Sequence, residues 1–170
     1  MAPSTRESLF AEAVQQHMGI FLKMTYGFAL PADRDDLVQE MLLAVWQALP
    51  AFDEGRCKLS TFIYRVTSNR AMNWRRSGLR YGRRLEALQN CPQLTLDAGE
   101  TAADAARLDW LYATIRLLPP LDRSLLMLHL DRLAHAEIAE VTGLTETNVG
   151  VRLHRIKRWL ADQKGDHDEP

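Results

Sequence analysis

"EIAEVTGLTETNVGVRLHRIKRWL", residues 137–160, has the layout of two short helices meeting at a glycine. Ile138 and Val141 give the first helix one apolar face. Gly143 can take the left-handed backbone that ends a helix tightly. Leu144 then packs inward, and Thr145 can cap the next helix with Glu146 in its first turn. On that second helix Val149, Leu153, Ile156 and Leu160 recur at helical spacing, which predicts a buried stripe. Ala139 is small enough to let the two helices approach closely. The other faces offer Thr147, Asn148, Arg152, His154, Arg155, Lys157 and Arg158. Apolar, small, glycine and capping positions all agree with a helix-turn-helix. Such a second helix suits a major groove: its N-terminal half meets base edges and its basic C-terminal half meets phosphates. A helical hairpin with a solvated basic face is the plainer alternative, and the coincidence of several requirements favours duplex DNA.

The formal charge of the whole chain is only −1, which hides an asymmetry. Residues 56–84 contain no Asp or Glu and carry Arg56, Lys58, Arg65, Arg70, Arg75, Arg76, Arg80, Arg83 and Arg84, a net +9. Acids flank this block: Asp33, Asp35, Asp36 and Glu40 before it, Asp97, Glu100, Asp104 and Asp109 after it. A basic block between acidic ones points to a polyanion at one face and other partners elsewhere. Phe62, Tyr64, Trp74 and Tyr81 are interleaved with its cations. Aromatics, arginines and asparagines together supply what single-stranded nucleic acid needs: stacking surfaces, base-edge partners and phosphate contacts. Asn69 and Asn73, four apart, share a helix face, whereas Phe62, Ile63 and Val66 fall at core spacing.

Helical spacing recurs throughout, and strand-like alternation stands out nowhere. The expected fold class is all-α: two small helical domains joined by a flexible acidic linker, the C-terminal one a helix-turn-helix. The first helix spans about residues 4–27. Pro31 starts a second, which ends before Pro50, with Asp33, Asp35 and Asp36 suited to its N-terminal dipole. Ser60 or Thr61 caps a third, running to about Arg76 and breaking around Ser77 and Gly78. The expected domains are 1–84 and 107–163, with linker 85–106 and a disordered tail 164–170. "LDWLYATIRLL", residues 108–118, reads as one helix stopping at Pro119.

Several classes are excluded. No run of about 18 apolar residues could span a membrane, and the N-terminus lacks a signal layout, so a cytoplasmic protein is expected. Cys57 and Cys91 are isolated and form no zinc motif, which predicts reduced thiols and no metal. The five histidines are scattered, with no H-E-x-x-H and no phosphate loop, so neither an enzyme nor a cofactor is expected.

Two blocks carry a family resemblance. "DRDDLVQEMLLAVWQALPAFDEG" (residues 33–55) resembles an acidic helix starting D-x-x-D-L-x-Q-E, and "LSTFIYRVTSNRAMNWRR" (59–76) resembles W-L-x-x-I-A-x-N-x-x-x-D-x-x-R-R. Residues 117–160 resemble an L-P-x-x-x-R-x-x-x-x-L segment followed by a helix-turn-helix. In this order they are similar to the extracytoplasmic-function sigma factors of the sigma-70 family. Phe62 stands where the family often has Trp, Thr67 where it has Ala, Asn73 where it has Asp, and Trp74 where it has Arg. Gly150 and Val151 replace Lys or Arg and then Ser.

The resemblance implies a mechanism. The second helix would bind the coiled coil of the polymerase beta-prime subunit through Asp36, Gln39, Glu40 and Leu43, with Trp46 mainly packing. The third helix and its preceding loop would capture the melted minus-ten strand through Lys58, Ser60, Thr61, Asn69 and Arg76, with Tyr64 and Asn73 assisting. The C-terminal domain would hold the minus-thirty-five duplex through Thr145, Thr147, Asn148, Arg152, His154, Arg155 and Arg158, and would meet the beta flap. Promoter DNA, core polymerase and a restraining anti-sigma factor are the implied partners. The alternative is an autonomous helix-turn-helix regulator, which predicts a dimer on a palindromic operator. That alternative leaves the basic aromatic block and the acidic second helix without a role.

Overall fold

The computed structural model of this chain describes residues 3–81 and 102–165. The expected linker up to residue 101, Cys91, and tail residues 166–170 lie outside the described residues. Among those described there are seven α-helices and no strand. No described helix is long and apolar enough to cross a membrane.

Three helices form the N-terminal unit: α1 (Pro3–Phe28), α2 (Arg34–Ala48) and α3 (Leu59–Tyr81). α1 kinks at His17, whose φ of −125° and ψ of 16° leave the helical region. Pro31 opens a short 3-10 turn, Pro31–Asp33, ahead of α2 rather than α2 itself, and Asp35 and Asp36 occupy α2's first turn. Their charge there complements the exposed N–H groups of the helix start. Phe21, Met24, Leu37, Met41, Leu49 and Ile63 are fully buried where the three helices meet.

α3 differs from expectation at both ends. The Phe62 N–H donates to the Lys58 carbonyl, so the first helical turn closes on Lys58, and Ser60 and Thr61 lie inside it rather than capping it. The helix also continues through Ser77 and Gly78 to Tyr81. One glycine costs a helix interior only about 1 kcal/mol relative to alanine, too little to break an established helix.

The C-terminal unit comprises α4 (Ala102–Ile115), α5 (Pro120–Leu130), α6 (His135–Thr142) and α7 (Glu146–Gly165). α4 starts within the expected linker, because "AADAA" is strongly helix-favouring once it adjoins the apolar residues that follow. It stops at Ile115 and not at Pro119: Leu117 and Leu118 make tight bonds back to the carbonyls of Thr114 and Ile115. α7 runs to Gly165, two residues into the expected tail.

The units are packed on each other, which a reading of two tethered domains does not anticipate. Their buried residues form one continuous apolar cluster from Ala13 to Ile156. α5 lies against α1 and α3, and α6 lies against α3. Gly27 makes the close approach possible: a Cβ there would stand 2.8 Å from the sulfur of Met127 on α5. The buried hydroxyls of Ser68 and Ser124 meet at 3.0 Å across the seam, and Arg116 donates to the Tyr26 carbonyl at 3.1 Å.

Candidate nucleic-acid and polymerase interfaces

The helix-turn-helix is α6 and α7. Gly143 takes φ 74° and its N–H donates to the Ala139 carbonyl, closing α6. Thr145 caps α7, its Oγ1 accepting from the Asn148 N–H at 3.3 Å. Ile138, Val141, Val149, Leu153 and Ile156 are buried between the helices and α5. Glu137 reaches back to the Ala134 N–H at 2.8 Å, satisfying a donor ahead of α6. Because nothing lies within 4 Å of a Cβ built on Gly143, only its backbone restricts that position. Gly143→Val is therefore expected to cost about 1–2 kcal/mol of stability from left-handed strain alone. Gly143→Asn should cost much less; urea unfolding of the two variants checks both values.

Opposite the buried stripe, α7 presents Thr147, Asn148, His154, Arg155 and Arg158, all exposed, with Thr145 exposed at its start. Arg152 differs. It sits at the margin of the stripe, beside Leu153, and its Nη1 pairs with Asp122 of α5 at 2.6 Å. Its side chain is 42% exposed, so part of its fork is committed to holding α7 on α5. Gly150 faces α6, where a Cβ would stand 3.6 Å from the His135 ring. His129, near His135, titrates below its ordinary range, chiefly through burial and then through the Lys157 and His135 charges.

On α3 and its preceding loop, Lys58, Asn69 and Asn73 are exposed, while Ser60, Thr61 and Tyr64 are half-buried. The Asn73 amide donates to the Asn69 carbonyl at 2.8 Å, so one of its donors is spent within the helix. The Asn69 side chain makes no hydrogen bond among the described residues. The Arg76 side chain lies outside what is described. Tyr64 points away from the Asn69 face: its hydroxyl donates to a carboxylate oxygen of Asp131 on the C-terminal unit. Burial, then that hydrogen bond and the Asp131 charge, push the phenol well above its ordinary range, so Tyr64 is a neutral donor.

On α2, Gln39 and Leu43 are exposed and Asp36 is half-buried. Leu43, in the middle of the helix, is 50% exposed. Glu40 accepts from Arg70 of α3 at 2.5 Å, with both side chains partly buried. Trp46 is held against α1: the Phe10 ring meets it edge-on at 5.2 Å, and the Arg6 guanidinium lies 4.0 Å over it while also donating to its carbonyl.

Thus the candidate residues fall on three separate surfaces: one face of α2, the loop and exposed side of α3, and the outer face of α7. Cys57 is a half-buried free thiol. Among the described residues no group of three or more His, Cys, Asp or Glu could hold a metal ion. The sequence does not announce the partners that bind Arg152, Tyr64 and Glu40 from other elements: Asp122, Asp131 and Arg70. One signal was available: Asp131 follows α5 directly, where a carboxylate opposes the helix dipole and needs compensation from elsewhere.

Comparison with known proteins matches a separate family model to each of the two helical units. The family model described as Sigma-70 region 2 matches residues 14–81, which take in most of α1 and all of α2 and α3. The model described as Sigma-70, region 4, matches residues 108–160, from α4 to α7. A search of curated proteins finds no match. Among solved structures, that described as CnrH in complex with the cytosolic domain of CnrY is similar in fold, with a TM-score of 0.66 and 24% identity. The likeness covers 94% of this chain and 89% of that one. With region 2 followed by region 4, the chain belongs to the sigma-70 family: it is an RNA polymerase sigma factor of extracytoplasmic-function architecture, not an enzyme, which binds core polymerase and promoter DNA and recognises the minus-ten element through region 2 and the minus-thirty-five element through region 4.

Proposed function

We propose that the three surfaces divide the work of initiation. The outer face of α2, with Asp36, Gln39, Glu40 and Leu43, docks on the beta-prime coiled coil, Trp46 serving mainly to brace α1 against α2. An acidic helix face with an apolar centre suits a basic partner helix. Lys58, Ser60, Thr61, Asn69 and Arg76 take the melted non-template strand at the minus-ten element, with Tyr64 and Asn73 in support. Unstacking a base costs a few kcal/mol, which these contacts must offset. Thr145, Thr147, Asn148, Arg152, His154, Arg155 and Arg158 hold the minus-thirty-five duplex, and the C-terminal unit meets the beta flap. The working domains are residues 1–84 and 107–163.

The protein acts in the cytoplasm beside core polymerase, restrained by an anti-sigma factor. The latter rests on the similarity to CnrH, which was solved with the cytosolic domain of CnrY. The observation that carries the polymerase assignment is Leu43, half-exposed on α2 near Asp36 and Glu40. Leu43→Asp is expected to weaken core binding at least tenfold, as for the loss of an apolar anchor at an interface centre. The fold should be untouched, since Leu43 faces solvent. Competition for core polymerase against the unmodified protein measures this; undiminished binding would remove α2 from the interface.

A further inference from the structure

We propose that Val151 reads the 5-methyl group of a thymine in the minus-thirty-five duplex, and so sets part of this chain's promoter specificity. This rests on the assignment of the outer face of α7 to that duplex. Val151 stands in the second turn of α7 and is 48% exposed. The residues three and four places away on either side, Thr147, Asn148, His154 and Arg155, are all exposed and share its face. Val151 is therefore the centre of the surface that α7 presents, and that centre is apolar. Gly150 beside it offers no side chain and faces α6, where a Cβ would stand 3.6 Å from the His135 ring.

Val151 does little for the fold. Val149, Leu153 and Ile156 form the buried stripe of α7, and Val151 lies outside it. Valine is also a poorer helix former than alanine, leucine or arginine, and here it follows a glycine, which is poorer still. The major groove gives such a residue a use. Every base pair shows a distinct edge there, and of the four bases thymine carries a methyl group on it. A polar side chain cannot exploit that methyl; an apolar one removes both surfaces from water. The χ1 angle of valine is nearly fixed in a helix, so its two methyl groups are in place before the duplex arrives. Asn148 and Arg155 can read adenine and guanine by paired hydrogen bonds. They are seven residues apart in the sequence, about 10 Å along the helix. That distance spans about three base pairs at about 3.4 Å each. The pairs between these two polar readers face Val151.

The test uses the holoenzyme and the minus-thirty-five duplex that it selects from random DNA. Each thymine is replaced in turn by deoxyuridine, which keeps every hydrogen-bonding group and removes only the methyl. At one thymine the unmodified protein is expected to lose about fourfold in affinity, as for one methyl-sized group taken from an apolar contact. Val151→Ser should bind the thymine duplex more weakly by a similar factor and should not distinguish thymine from uracil at that position. Its urea unfolding and its affinity for core polymerase should be unchanged, since Val151 lies outside the core. The proposal is overturned if the unmodified protein is indifferent to uracil at every position. It is equally overturned if Val151→Ser shows the same loss, because the methyl would then act through DNA shape. Arg155→Ala separates these failures from that of the underlying assignment. If Arg155→Ala weakens duplex binding while the uracil series is flat, only the thymine reading falls. If neither has an effect, α7 does not hold the duplex and both readings fall.

Discussion

Replacing Arg123 with methionine is expected to remove about 3 kcal/mol of folding stability. Arg123 is 3% exposed, yet it is an arginine in the first turn of a largely buried helix. Its Nη2 donates to the carbonyls of Arg116 and Leu118 at 2.5 and 2.9 Å, and its guanidinium lies 5.0 Å over the Phe28 ring. Those carbonyls belong to the turn that ends α4, and Pro119 and Pro120, which lack N–H groups, follow immediately. The Arg116 carbonyl thus finds no N–H three or four residues ahead, where both prolines stand, and a side chain from α5 satisfies it. Methionine fills similar space but leaves buried acceptors unpaired, at about 1–3 kcal/mol each. Lysine should recover only part of the loss, because a single ammonium does not reproduce a planar fork. Urea unfolding of the three proteins measures this. A loss under about 1 kcal/mol for methionine would mean that water or another group satisfies the turn.

The second large effect is expected at Asn69. Its amide edge is exposed and makes no hydrogen bond among the described residues, whereas the neighbouring Asn73 already donates into the helix. Asn69 can offer a base both a donor and an acceptor; Asn73 has less to give. Good base-edge contacts of this type contribute about 1–3 kcal/mol, about fivefold to more than a hundredfold in binding. Asn69→Ala in the holoenzyme should fall in that range, with Asn73→Ala well below it. Equal losses at the two positions would contradict the ranking drawn from their hydrogen bonds.

Much of this was legible in the sequence because it depends on local chemistry. Gly143, Thr145 and the Val149, Leu153 and Ile156 stripe define the helix-turn-helix by spacing alone, and their geometry follows it. The pairing of Asn69 with Asn73 on one face was equally local. Helix ends were less legible. Ser60 and Thr61 are good capping residues, but the first turn of α3 closes on Lys58, two residues before Ser60, and Gly78 is carried along inside the helix. The packing of region 4 on region 2 was not legible at all. Tyr64 with Asp131, Ser68 with Ser124 and Gly27 with Met127 join residues far apart in the chain, and no local pattern announces such pairs. Arg152 shows how this alters a site. By sequence it is a free base-reading arginine; in the fold Asp122 holds it at the edge of α7. Arg155, wholly on the outer face, is the better candidate for base readout.

In the proposed division of labour, α3 takes the melted strand and α7 the duplex. Holoenzymes carrying Asn69→Ala or Arg155→Ala should be titrated separately with a single-stranded minus-ten oligonucleotide and a duplex minus-thirty-five fragment. A crossed pattern is expected: Asn69→Ala loses affinity only for the single strand, and Arg155→Ala only for the duplex. Equal losses on both probes from either substitution would contradict it.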